Sequence, residues 1–256
     1  TIGRYKKSPI KVCVFIFWIA IWQIVYFIIQ RDIYVPSPFS VFIRLKELIF
    51  MPVFWKSIGY SIYRVIAGLV LSILLGVLVG IVSSISDYVY EIIYPVMTII
   101  RSTPVLSFII IALIWFSSSN VPIFICFLMC FPIIWMNVLT GIRNVDDKLL
   151  EMAKVYDIRK INVLKKIYLP SIIPYFSAAC ITCLGLGWKA SVAAEVLSHP
   201  RDAIGSHLHS AKVYLDSSEL FAWTLAVILL SLLFENIFAQ FIRRKTMKKT
   251  ARFNIR

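Results

Sequence analysis

The sequence predicts an all-α polytopic membrane protein of six transmembrane helices with both termini cytoplasmic. Three observations predict it. Of 256 residues only 16% are charged, 60% are hydrophobic and the mean hydropathy is +0.84, too few charges to cover the apolar surface of a soluble domain. Uncharged runs approach the about 20 residues that cross a hydrocarbon core: Val12–Gln30 has 19 and Val65–Ser86 has 22. Lys and Arg, finally, fall unevenly between the two sides that these runs define.

The spans are placed at about 12–30, 60–84, 89–116, 121–142, 171–196 and 219–242. The first follows the basic stretch "RYKKSPIK"; its apolar run is too long for a typical signal peptide and no small-residue cleavage site follows, so it is expected to be retained. Ser102–Ile142 is uncharged for 41 residues, too long for one crossing, and "SSSNVP" divides it into a hairpin. The third span is interrupted by Glu91, Pro95 and Arg101, so its beginning is expected at the interface and its crossing near Pro104. "VPSPF" reads as an extended entry, and "HPRDAIGSHLHSAKVYLDSSE" as a polar loop with a short helical piece. In this scheme residues 1–59 hold the first span and an external segment, 60–242 the core with a charged loop at about 142–170, and 243–256 a basic tail. One side carries eighteen Lys and Arg and the other six, a bias that places the termini and the charged loop in the cytoplasm.

That loop contains "EMAKVYDIRKINVLKKIYLP", with seven charged residues in twenty. Asp146 or Asp147 caps a first helix carrying Leu149, Leu150, Ala153 and Tyr156 at near-helical spacing, which breaks at Asp157. A second helix places Ile161, Leu164, Ile167 and Tyr168 on one face and Lys160, Lys165 and Lys166 on another; Pro170 is expected to stop it and open the next span. Periodicity alone leaves two readings: an interfacial element binding anionic lipid, or a rigid lever between two spans.

The same segment resembles the E-A-A loop of ATP-binding-cassette importer permeases, E-A-A-x3-G-x9-I-x-L-P. Glu151 matches the Glu, Met152 and Ala153 the alanines, Asp157 the glycine, and Ile167, Leu169 and Pro170 the last motif; Met152 and Asp157 are the departures. "VPSPFSVF", "SIYRVIAGLVLSILLGVLVG", "YPVMTIIRSTPVLSF", "FPIIWMNVLTGIRNVDDKLLEMAKV" and "WKASVAAEVL" are similar, in order, to permeases of the nitrate/sulfonate/taurine importer group. The resemblance implies a type I importer permease that couples through Glu151, Met152, Ala153, Tyr156, Asp157, Ile167, Leu169 and Pro170 to an ATPase dimer. Ala153 would allow close approach to that partner. At the glycine position the turn often needs φ > 0, which Asp tolerates at modest cost. It further implies an extracytoplasmic binding protein, a second, identical permease chain, the bacterial plasma membrane, and no cofactor on this chain, ATP and Mg belonging to the ATPase.

Arg101, Lys189 and Glu195 fall within spans and are candidates for a translocation path for a small polar or anionic solute, with snorkelling or a bend at the interface as the alternative. Gly185 and Gly187 would let that helix pack closely or bend beside the path. "CITC" reads as small apolar helix residues, and His199, His207 and His209 lack an acidic ligand set, so no metal is expected. The charge of +14 lies beside spans rather than on a reading surface for nucleic acid. No P-loop occurs, so energy must come from another subunit. An integral membrane enzyme would need an acid–base pair or nucleophile within the spans, and a passive channel would leave the charged loop unexplained.

Overall fold

Residues 7–253 are described by a computed structural model, with side chains described for 12–234, 236 and 237. Arg4, Lys6 and Arg256 of the charge count lie outside the described residues. The described chain is helical throughout: α1 Lys7–Ile29, α2 Pro38–Phe50, α3 Pro52–Ile85, α4 Asp87–Ser102, α5 Val105–Trp115, α6 Val121–Arg143, α7 Asp147–Val155, α8 Lys160–Val163, a π-turn Leu164–Tyr168, α9 Leu169–Ser198, α10 Ile204–Val213 and α11 Ser217–Phe253. Five helices are long and apolar enough to cross a membrane, and the bent pair α4–α5 makes a sixth if counted as one span.

The bundle is organised around α6, which packs along α3 on one side and α9 on the other. Small residues permit this. A Cβ on Gly68 of α3 would lie 2.6 Å from the Ile123 carbonyl oxygen, and one on Gly187 of α9 would lie 2.9 Å from Cys126 Sγ. The expected close packing at Gly187 is therefore present, and Cys126, Cys130, Cys180 and Cys183 are buried packing residues between these helices. Cys130 Sγ–H reaches the Cys183 carbonyl at 3.4 Å, inside the apolar seam.

Three elements differ from the sequence reading. α2 occupies part of the segment read as external, for which no helix was expected; Ser37 caps it, accepting from Ser40 N–H at 3.1 Å, and Val41, Leu45 and Leu48 form its buried face. α3 starts eight residues before the expected second span, at Pro52 rather than 60. The helix through Lys160–Tyr168 does not stop at Pro170. It runs into α9 through the π-turn, in which Leu169 N–H bonds the Leu164 carbonyl. Widening the helix by one residue just before a proline relieves the contact that its ring makes with the previous turn. The result is one rod of 39 residues, Lys160–Ser198, roughly 58 Å long.

The third span breaks where expected. Thr103, just before Pro104, takes φ −82° and ψ 135°, the extended conformation that a following proline imposes, and α4 and α5 meet at 105°. α5 has 11 residues, about 16 Å, half of a hydrocarbon core, so neither piece crosses alone.

At the α10 end of the bundle a buried ion pair joins three helices. Arg64 of α3 meets Glu195 of α9 at 3.0 Å, with side-chain exposures of 5% and 0%. Ser61 donates to Glu195 Oε2 at 2.9 Å, and Gly205 N–H, in the first turn of α10, donates to the same oxygen at 3.1 Å. Arg64 also donates to the Arg201 and Asp202 carbonyls, and Ile204 N–H donates to Ser61 Oγ. The residue before α10 is Ala203, which has no capping side chain; Glu195 and Ser61 supply the acceptors instead. A Cβ on Gly205 would come 2.4 Å from Glu195 Cβ, so α10 can approach this closely only with glycine there. Nearby, His207 stacks on Trp223 at 4.6 Å and lies 3.0 Å from Ser57 Oγ, and Lys56 pairs with Asp202 at 2.9 Å.

Removing one partner of this pair leaves the other charge buried. Glu195→Ala is expected to destabilise the folded chain by about 3–5 kcal/mol, and Arg64→Met with Glu195→Leu together by clearly less than either single change. Thermal unfolding of the purified protein in detergent measures this. A double variant at least as unstable as Glu195→Ala would count against an ion-pair constraint.

Candidate functional site

The charged loop forms a short helix, a tight reversal and the rod of α9. Asp146 accepts from Lys148 N–H at 2.9 Å and caps α7. At the other end, Asp157 N–H bonds the Lys154 carbonyl at 3.1 Å and Ile158 N–H bonds the Ala153 carbonyl at 2.9 Å. These two bonds with Asp157 at φ 46° make a Schellman closure, and the aspartate holds the left-handed position where glycine is commonest. The chain then enters α8 and the rod without a flexible link.

Apolar side chains lie exposed on this turn among the charged Lys154, Asp157 and Arg159. Val155 is 82% exposed and Tyr156 75%, with Leu149, Met152 and Ile158 also exposed beside them. Glu151 is exposed on the same short helix. Ala153 is not: it is 4% exposed and covered by its own chain, so it cannot be the residue that admits a partner closely. Its small size serves internal packing. Further along, Ile167 is half-buried, whereas Leu169 and Pro170 are exposed at the start of α9. Sequence reading named Tyr156 but missed Val155 and Ile158. The signal was there, since apolar residues at 149, 152, 155 and 156 keep helical spacing in an otherwise charged segment.

The in-span charges separate into different environments. Glu195 is enclosed by Arg64, Ser61 and the start of α10, so it faces no open space and is not a path-lining residue. The sequence offers both charges but, with 131 positions between them, gives no sign that they pair. Lys189 is exposed on α9, two turns before Glu195. Arg101 is exposed in the last turn of α4, where it borders a cleft of about 330 Å³ against α6. The three do not come together into one site.

The comparisons with known proteins agree with this architecture. A family model described as "Binding-protein-dependent transport system inner membrane component" matches residues 72–247. The chain is 27% identical over 232 residues to SsuC of Bacillus subtilis (strain 168), assigned as an aliphatic sulfonates transport permease, covering 90% of this chain and 83% of that one. It is 32% identical over 200 residues to the nitrate import permease protein NrtB of Synechococcus elongatus, covering 74% of this chain and 71% of that one. The fold is similar to a chain of an inward-facing MetNI methionine ABC transporter, with a TM-score of 0.64 at 13% identity over 76% of this chain and 96% of that one. With the family match spanning most of its length, this multi-pass chain belongs to the binding-protein-dependent transport system inner membrane components, the permeases of ABC importers.

Proposed function

We propose that the chain forms half of the membrane path of an importer for small oxyanions and couples that path to ATP hydrolysis on a separate ATPase dimer. The observation that carries the coupling role is the exposed apolar turn at Val155 and Tyr156, held stiffly by Asp146 and Asp157 and continuous with the rod of α9. A surface of this kind outside the spans is covered by something when the protein works. The class of solute follows from the relatives: the sulfonates, nitrate and bicarbonate in their names are all small oxyanions. Two identical permease chains would enclose the path, an extracytoplasmic binding protein would deliver the solute at the α10 end, and ATP and Mg would be held by the ATPase. The membrane is the bacterial plasma membrane, with α7 and both termini on its cytoplasmic side.

In this reading the docking face receives the ATPase motion, and the 39-residue rod carries it to the opposite end of the bundle. Glu151, Met152, Val155, Tyr156 and Ile158 make the contact. Asp157 sets the angle between docking helix and rod. Ile167, Leu169 and Pro170 lie where the π-turn hands the helix over to the span.

Several changes to this element test it by measuring uptake and ATPase activity together in vesicles holding the whole complex. Val155→Asp or Tyr156→Ala is expected to uncouple hydrolysis from uptake or to release the ATPase, as is Glu151→Arg. Asp157→Gly is expected to keep function, because glycine takes φ 46° without strain. Asp157→Pro is expected to fail: its φ near −65° and its missing N–H both oppose the closure. Neutralising Lys160, Lys165 and Lys166 together is expected to do less harm than any of the three docking changes. The reverse order of effects would make the segment a lipid-binding element.

Orientation has its own check. A reporter inserted near Lys160 is expected in the cytoplasm and one near Asp202 outside; both on one side would refute the six-span topology.

A further inference from the structure

The surface of α2 divides into three sectors. At about 100° per residue, Val41, Leu45 and Leu48 fall on one side and share a core with Phe54 and Trp223, at the starts of α3 and α11. Ser40, Arg44 and Glu47 make a second, polar sector. Arg44 donates to Glu219 at 2.9 Å, in the first turn of α11, so this sector points toward the end where α11 starts. Phe39, Phe42, Ile43, Lys46, Ile49 and Phe50 occupy the remaining third, and all six are exposed, Phe39 by 74% and Phe50 by 79%.

The place of the helix indicates what covers that third. With 13 residues, about 20 Å, α2 is too short to cross a bilayer, and it joins two helices that are long and apolar enough to do so. Trp22 of α1 donates its indole N–H to the Pro36 carbonyl at 3.1 Å, which ties the start of α2 to that span. At its other end, Trp55 of α3 donates to the Ile49 carbonyl at 2.9 Å. Trp55 lines a shallow depression with Tyr60 and Tyr63, aromatic side chains of the kind that sit at headgroup level. Beyond them α3 keeps an exposed apolar flank at Ile66 and Val70, within its span. The open sector of α2 is thus continuous with surface that faces lipid.

Lys46 distinguishes lipid from a protein partner. It lies in the middle of the apolar sector, and among the described residues no carboxylate is within ion-pairing distance of it. Deep hydrocarbon would make its charge costly. A second copy of the same face, in the twofold arrangement commonest among dimers, would bring Lys46 toward its own counterpart. At phosphate level its stem lies along apolar surface while the ammonium meets an anion.

We infer that α2 lies flat in the bilayer surface on the α10 side, with Phe39, Phe42 and Phe50 in the upper acyl region, Lys46 on phospholipid phosphate, and Arg44 and Glu47 toward water. Because its buried face holds the starts of α3 and α11, this contact fixes the depth at which both helices enter the bilayer. The inference goes beyond coupling and solute path, and it holds whichever side of the membrane the α10 end faces.

The test uses the permease–ATPase complex in phospholipid nanodiscs. The exposed Cys13 is replaced by serine, the other cysteines being buried, and a nitroxide is attached to Phe39→Cys, Phe50→Cys or Glu47→Cys in turn. Ile43→Cys, in the same sector, stands in for an apolar variant that fails to assemble. Collision with oxygen, which concentrates in lipid, is compared with collision with a water-soluble nickel chelate. The oxygen-to-nickel ratio is expected to be several-fold higher at 39 and 50 than at 47. Lys46→Glu is expected to lower the ratio at 50, and Lys46→Arg to keep it. Nickel reaching 39 and 50 as readily as 47 would put the sector in water, and exclusion of both relaxants there would put protein on it; either result overturns the inference. A ratio at 50 unchanged by Lys46→Glu overturns the phosphate contact. None of these readouts depends on uptake or on the solute.

Discussion

Glu195 is the constraint on which the rest of the arrangement hangs. A carboxylate with no exposed surface must have every oxygen engaged, and Arg64, Ser61 and the Gly205 amide of α10 engage them. Because those partners come from three helices, satisfying one side chain fixes α3, α9 and α10 relative to one another. Gly205 follows from it, since any side chain there would collide with Glu195. So does the absence of a capping residue before α10: the cap arrives from a different helix.

The two ends of α9 are therefore unequal. At the α10 end the helix is locked by a buried ion pair; at the α7 end, beyond the Ser171 hydrogen bond to the Gly141 carbonyl of α6, it continues into a turn with exposed apolar residues. The π-turn matters here, because without it Pro170 would put a break at the junction. The rod, rather than the short helix α7, is the structural novelty of the segment.

Much of this was legible in the sequence, for particular reasons. Uncharged runs of bilayer length gave the spans, and Pro104 gave the break in the third, because proline acts on its neighbour whatever the surroundings. Asp157 was legible as a left-handed turn from the spacing of the resembling motif, and its φ of 46° agrees. What stayed hidden depends on contacts between distant segments. Ala153 looked like a surface for a partner and is covered from within. Pro170 looked like a stop, because a π-turn leaves no mark in residue types. Arg64 and Glu195 lie 131 positions apart, and nothing local says that they meet. α2 was missed because its three buried apolar residues sit among charged ones in a segment judged external.

The three charges once grouped as a possible path show how burial separates roles that sequence cannot. Glu195 has three polar partners and no exposed surface, so its contribution is mechanical: it holds helices. Lys189 is exposed less than two turns before it, toward the same end of the rod, and shares none of its partners. Arg101 sits well inside the length of α6, at a break between two helices that are each too short to cross, with a cleft beside it instead of a carboxylate. Irregular backbone at membrane depth is tolerated where it borders protein or a water-filled cavity, not lipid. The break between α4 and α5 at Thr103–Pro104 therefore has to lie against protein or water rather than lipid.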